Sequence, residues 1–201
     1  MLRHPLPQDF SQISEILLRV GDSGNDATDL FVDPTLLGAI YALPYATLLP
    51  DWSWVVEDDA GVVGVVSAAP DTVTFESDRD QIWFPNVRSG VPDPGPRPAS
   101  DDDLETFCQR FVHHPIKTQP EIAATWPAHM HLNVHPRGHG RGYGRALCTA
   151  VLDKAREKGI SGIHVGVSPR NAGGLAFWSR MGFAPANVQT NDGAVWLGQR
   201  L

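Results

Sequence analysis

Apolar side chains fall at Phe10, Ile13, Ile16, Leu17 and Val20, the three-and-four spacing of one helical face, which predicts a helix over 9–20. A glycine-rich, acidic loop follows over 21–29, and Pro34 to Tyr41 reads as a second, short helix. Two valine-rich runs, Ser53–Glu57 and Val62–Ala68, flank Asp58-Asp59-Ala60-Gly61 and read as a hairpin. Phe75–Phe84 reads as a strand or extended stretch. Prolines and glycines crowd 89–100, which excludes a helix or central strand and leaves a long loop. Asp101, Asp102 and Asp103 then open a helix through Val112, with acids at the end its dipole favours, and Glu121–Thr125 reads as a further short helix. The remainder alternates: strand His129–Val134, helix Ala146–Lys158, strand Ile163–Val167, helix Asn171–Met181 stopped by Gly182, strand Ala194–Leu197. This order predicts an α/β fold. Neither side of the proline-rich loop looks complete alone, so the expected organisation is a single domain over 1–201 with an insertion at about 71–126.

One stretch changes the picture from fold to chemistry. His139-Gly140-Arg141-Gly142-Tyr143-Gly144-Arg145 lies between a predicted strand and a predicted helix. Glycines let the backbone approach a ligand closely. A helix opening directly after them aims free N–H groups and a positive dipole end at one point, which suits a phosphate. Arg141 and Arg145 add formal charge there.

Composition narrows the partners. The 201 residues carry a net charge of −7, so no basic surplus exists to neutralise a nucleic acid, and a cationic substrate such as an amine is favoured. Cys108 and Cys148 have no partner at metal-ligand spacing; they are expected to be buried reduced thiols, a disulfide being the other reading. No metal site is expected. No apolar run approaches a membrane span, and Met1–Pro5 lacks a signal-peptide core, so a cytoplasmic protein without a membrane partner is expected.

The run Leu132-Asn133-Val134-His135-Pro136-Arg137-Gly138 and the glycine stretch after it resemble the strand, pyrophosphate loop and helix of the GNAT superfamily of N-acetyltransferases. The segment Asn171-Ala172-Gly173-Gly174-Leu175-Ala176-Phe177-Trp178-Ser179-Arg180-Met181-Gly182-Phe183 is similar to a second element of that family, in the expected order and separation. More narrowly, Trp52–Gly64, Gln81–Pro85 and Val195–Leu201 resemble the acetyltransferase-like C-terminal domain of O-GlcNAcase, of which this chain reads as a stand-alone, bacterial-type relative.

The resemblance implies a mixed central sheet flanked by helices on both faces, acetyl-CoA as co-substrate, and transfer of its acetyl group to an amine of a small molecule or a protein lysine, by a monomer or homodimer. The alternative is a module that binds acetyl-CoA or a partner without turnover. It implies a cofactor site of Leu132, Asn133, Val134, His139, Gly140, Arg141, Gly142, Tyr143, Gly144, Arg145, Asn171, Phe177 and Trp178. The pyrophosphate would sit on the amides from His139 to Arg145, and a main-chain N–H near Val134 would polarise the thioester carbonyl. A bulge near that point would splay a pair of parallel strands. Asn171 would bond the pantetheine arm, cap its helix, or do both. Where many relatives carry Tyr this chain has Trp178, whose indole donates a hydrogen bond but gives up no proton, so packing is its expected role. For the base, His129 and His131 share one strand face with Asn133, and these are the catalytic candidates. The adjacent pair His113-His114 is expected to point apart on its helix. The insertion, with Phe75, Trp83, Phe84 and Phe107, is expected to form a lid or wall that selects the acceptor; Trp52 and Trp54 would line the same mouth or fill core.

Overall fold

The computed structural model describes residues 1–98, 102–188 and 193–201. Strands β1 (Leu2–Arg3), β2 (Ser53–Asp58), β3 (Gly61–Ala69), β4 (Ala128–Val134), β5 (Gly162–Val167), β6 (Ala184–Pro185) and β7 (Val195–Arg200) form one mixed, seven-stranded sheet in the order β1-β2-β3-β4-β5-β7-β6. Every predicted strand but one lies in this sheet, with ends shifted by a residue or so, except that β7 runs three residues beyond the expected Leu197.

Helices cover both faces. One face carries α1 (Phe10–Arg19), α2 (Leu36–Tyr41) and, further on in the chain, α6 (Leu104–His113); Ile13, Ile16, Leu36, Ile40, Cys108 and Val112 bury against Val55, Val62 and Val65. The opposite face carries α8 (Tyr143–Glu157), whose Leu147, Cys148, Val151 and Ala155 pack on Val63, Val66, Met130 and Ile163. A fully buried residue such as Leu147 contributes about 1.5–3 kcal/mol by leaving water. Both cysteines are free and buried, as expected, and burial pushes each thiol up to about 12. Among the described residues no helix is long and apolar enough to cross a membrane.

The insertion differs most from expectation. Phe75–Phe84 is helical: α4 (Thr72–Asp78) runs through a π-turn at Arg79–Trp83 into α5 (Phe84–Arg88). Asp71 caps α4 by accepting the Thr74 amide at 2.8 Å, and Phe75 and Phe84 are buried by tertiary packing, which overrides the β-branched Thr72, Val73 and Thr74. A further helix that the sequence pattern did not suggest, α3 (Leu43–Leu48), follows α2, and α7 (Pro120–Thr125) precedes β4. Asp103 caps α6; Asp101 and residues 99–100 lie outside the described residues. His113 and His114 do not diverge. His114 has left the helix, and its Nε2 lies 2.9 Å from Asp93 while the His113 Nδ1 lies 3.8 Å from the same carboxylate. Together they pin the proline-rich loop to α6.

The expected bulge in β4 is absent. The pairing of β3 with β4 is regular from Gly64↔Val134 to Ala69↔His129. The irregularity lies next door in β3, where Val56 faces Gly64 but Glu57 faces Val62, leaving Val63 as the extra residue. The sheet nevertheless opens where the cofactor slot was expected. Parallel pairing of β4 with β5 consists of Ala128↔Ile163 and His129↔His164 and then stops, while β5 stays paired with β7 from Gly162↔Arg200 to Val167↔Val195.

Candidate active site

Beyond His129, β4 turns one edge to this gap. The His135 amide donates to the Val63 carbonyl at 2.9 Å, so odd-numbered residues of β4 point their main-chain groups at β3. By alternation the N–H groups of Leu132 and Val134 point into the gap, where β5 no longer pairs with them. These are the donors expected near the thioester.

The chain then enters the glycine loop through a short turn. Arg137 anchors it, reaching Asp58 at 3.2 Å and the Val62 carbonyl at 2.8 Å on the β2–β3 hairpin. The loop is narrower as an anion site than the sequence suggested. The amides of His139 and Arg141 are spent inside it, on Pro136 and Gly138. The His139 ring folds back to the Val134 carbonyl, with Nε2 at 3.0 Å. Among the described residues, the amides of Gly140, Gly142, Tyr143, Gly144 and Arg145 have no acceptor, and they open α8. Gly140 and Gly142 hold φ of 75° and 81°, and an added Cβ at either would meet nothing within 4 Å. The space over these amides is open, and exposed Arg141 and Arg145 flank it. That fits a diphosphate on a helix N-terminus. Gly144 serves packing instead: its Cβ would come within 3.2 Å of the Phe177 ring.

Two cavities meet in the gap. The first, about 390 Å³, lies toward α1 and the loop before α2, with Leu132, Asn133, Asn171 and Trp178 in its wall. The second, about 230 Å³, lies toward the insertion, with Tyr45, Arg79, Phe107 and His129 in its wall. Tyr41, Met130, His131 and Val165–Ser168 belong to both. His131 therefore stands at the junction. Its ring makes no hydrogen bond among the described residues and lies edge-on to Tyr45 and tilted against Tyr41. Burial, with the positive charge of Arg79 and the neighbouring His164, pushes its pKa down to about 4.

His129, on the same strand face, offers no free nitrogen. The Thr72 hydroxyl donates to the Pro127 carbonyl at 2.8 Å, so it accepts from Nδ1–H of His129 at 2.8 Å. Nε2 is then the acceptor of the Tyr45 hydroxyl at 2.7 Å. Burial and nearby positive groups hold His129 well below its usual pKa. His164, buried beside it, has its Nδ1 at 2.7 Å from the Trp126 carbonyl, and burial pushes its pKa down to about 4.

Ala172–Arg180 forms α9. Asn171 caps it, accepting the Gly174 amide through Oδ1 at 2.7 Å, and its Nδ2 remains unengaged among the described residues at the cavity wall. Trp178 is buried between Phe177 and Phe183, each with ring centroids at 5.0 Å, so its role in the fold is packing. Trp52 is core, and Trp54 stacks with His4 and Lys154 away from the cavities. Sequence reading missed Tyr41, Tyr45 and Arg79. The spacing of the two tyrosines by four was visible, but the break between α2 and α3 at Ala42 hid their common direction.

Comparison with known proteins agrees with this geometry. The acetyltransferase (GNAT) family pattern matches residues 108–183. The crystal structure of SsHAT is 31% identical, with a TM-score of 0.87, covering 100% of this chain and 97% of that one. Two others share the fold at lower identity. The yncA protein of Salmonella typhimurium, solved with its cofactor acetyl-CoA, is 19% identical with a TM-score of 0.55, over 100% and 93% of the two chains. Naa20 of Chaetomium thermophilum, solved with a bisubstrate analogue, is 14% identical with a TM-score of 0.55, over 100% and 86%. With the separated strands β4 and β5, the open amides at the start of α8 and these likenesses together, the chain belongs to the GNAT family of acetyltransferases.

Proposed function

We propose that this protein transfers the acetyl group of acetyl-CoA directly to a primary amine, with His131 as the base. The observation that carries this reading is the position of His131 in the wall shared by the two cavities. In this reading the amides of Gly140, Gly142, Tyr143, Gly144 and Arg145 hold the diphosphate, and Leu132, Asn133 and Asn171 lie along the pantetheine arm. Phe177 and Trp178 pack behind it. The amides of Leu132 and Val134 stabilise the negative charge that develops on the carbonyl oxygen.

The neutral amine enters from the insertion side and attacks the acetyl carbon. A carbon–nitrogen bond forms, the carbon–sulfur bond breaks, and the amine's proton passes to His131. With its pKa near 4, that ring is unprotonated throughout the neutral range but weakly basic, so it takes the proton only as the nitrogen becomes acidic on forming its bond to carbon. Trp178 supplies no proton to the thiolate. The Tyr41 hydroxyl does so in this reading and regains a proton from the His131 ring beside it, so that neither group ends the turnover charged: Tyr41 belongs to both cavities, it has no hydrogen-bond partner among the described residues, and burial keeps it protonated. His129 acts as a positioning residue that holds Tyr45. Asn133 contacts the arm and takes no proton.

The closer kinship with the acetyltransferase-like domain of O-GlcNAcase rests on Trp52–Gly64, Gln81–Pro85 and Val195–Leu201. A cytoplasmic setting fits the free cysteines. Calorimetric titration with acetyl-CoA, followed by free-thiol release across a panel of amines, tests the reading. Absence of binding removes it, and binding without thiol release for any amine leaves a carrier-binding module in its place.

A further inference from the structure

The second cavity contains a guanidinium that the acetyl-transfer reading does not use. Arg79 begins the π-turn between α4 and α5, a widened turn of the kind that often marks a functional site. The residue is only 5% exposed, yet it belongs to the cavity wall. Its guanidinium carbon lies 5.0 Å from the ring centres of both Phe84 and Phe111, two rings set edge-on to one another that press on the group from the same side. These contacts hold the group in place, and its hydrogen bonding is left to its N–H groups.

Those edges are incompletely used. Nε donates to Asp80 Oδ1 at 2.9 Å. Nη2 lies 2.9 Å from the same oxygen, outside hydrogen-bond geometry, and is a buried atom without a hydrogen-bond partner. Nη1 makes no hydrogen bond among the described residues. The nearby carboxylates have other partners, with Oε2 of Glu76 left over among the described residues. Asp80 is shared with Lys117 through its other oxygen, and Glu76 accepts from the Thr118 amide at 2.9 Å and from its hydroxyl at 2.8 Å. A buried arginine with an open edge is costly unless an oxyanion completes it.

We propose that the acceptor is a small amino acid in the broad sense, an amine bearing a carboxylate, and that the open edge of Arg79 binds the carboxylate while the amine lies at His131. This rests on the acetyl-transfer reading and names its substrate class. The planar fork of a guanidinium matches a carboxylate with two parallel bonds. Arg79 lines the second cavity together with Tyr41, Tyr45, His129 and the proposed base His131, and its positive charge contributes to lowering the pKa of His131.

The test is a calorimetric titration of the protein–coenzyme A complex with glycine, β-alanine, 4-aminobutyrate and the common L-amino acids, each against its primary amide. At least one acid binds more tightly than its amide by about tenfold or more, the worth of one charge-assisted bond. In Arg79→Gln the two forms bind alike, while acetyl-CoA affinity stays at the wild-type value. Arg79→Lys keeps the charge beside Asp80 and loses the fork; it retains only a fraction of the preference, and it decides the matter if the glutamine variant does not fold. The proposal is overturned if no acid outbinds its amide, or if either variant keeps the full preference. Failure of the acetyl-transfer reading would show separately, as absent acetyl-CoA binding or absent thiol release.

Discussion

Gly142 is the position at which the cofactor site is most exposed to test. It caps α8 from the left-handed region, with φ of 81°, and nothing lies within 4 Å of where a Cβ would stand. A glutamate there has two effects. The backbone strain costs about 1–2 kcal/mol, because an L-residue in that region crowds its own carbonyl. The carboxylate also occupies the space over the open amides. Loss of two charge-assisted amide–phosphate bonds, at roughly 1.5–3 kcal/mol each, weakens acetyl-CoA binding by about 10²–10⁴-fold. Gly159, just past the other end of α8, has φ of 67° and equally open space, so Gly159→Ala carries the strain without the site. Thermal unfolding of both variants is expected to fall by about 2–4 °C per kcal/mol. Calorimetry is expected to show weakened acetyl-CoA binding for Gly142→Glu alone. Wild-type affinity in Gly142→Glu, or an equal loss in Gly159→Ala, would refute the assignment of the diphosphate to this loop.

Other outcomes follow from the junction. His131→Gln is expected to lower kcat by about 10²–10⁴-fold with acetyl-CoA affinity unchanged, as measured by thiol release and calorimetry. In the wild type, kcat is expected to fall on the acid side near pH 4, where the His131 ring becomes protonated. Tyr45→Phe leaves Nε2 of His129 buried without a donor and is expected to cost about 1–3 kcal/mol in urea unfolding. Stability should also depend on pH in a set direction. His131 and His164 are pushed down to about 4 and His129 is lowered as well, so between there and the ordinary value near 6.5 the unfolded chain binds more protons than the folded one. Stability is therefore full above about pH 6.5 and falls as pH drops toward 4, each histidine adding up to about 1.4 kcal/mol per pH unit. Urea titrations at stepped pH measure this, and a flat profile would contradict the burial of the three rings as neutral imidazoles.

The second half of the chain was legible because its signals are local. Glycines at 140, 142 and 144 between an apolar strand and an amphipathic helix, and Asn171 before a second helix, specify backbone shape by residue type. The insertion was not, because its helices are set by burial against distant strands. Thr72, Val73 and Thr74 favour a strand locally, and only the Asp71 cap and the buried Phe75 reveal α4. The same holds within the site. His129 and His131 look equivalent on one strand face, yet Thr72 and Tyr45, far away in sequence, occupy both nitrogens of one and leave the other free. The turned-back ring of His139 was equally hidden, since its partner is a carbonyl and carries no side-chain signature.

The gap between β4 and β5 is lined from both sides at once, by His131, Tyr41 and Val165–Ser168. Under the proposed function donor and recipient therefore occupy the protein together, and no acyl group needs to be parked on a side chain between two half-reactions. Double-reciprocal plots for the two substrates should intersect. A compound that tethers coenzyme sulfur to the recipient's nitrogen should thread the seam and gain from effective concentration what two separate ligands lose on binding.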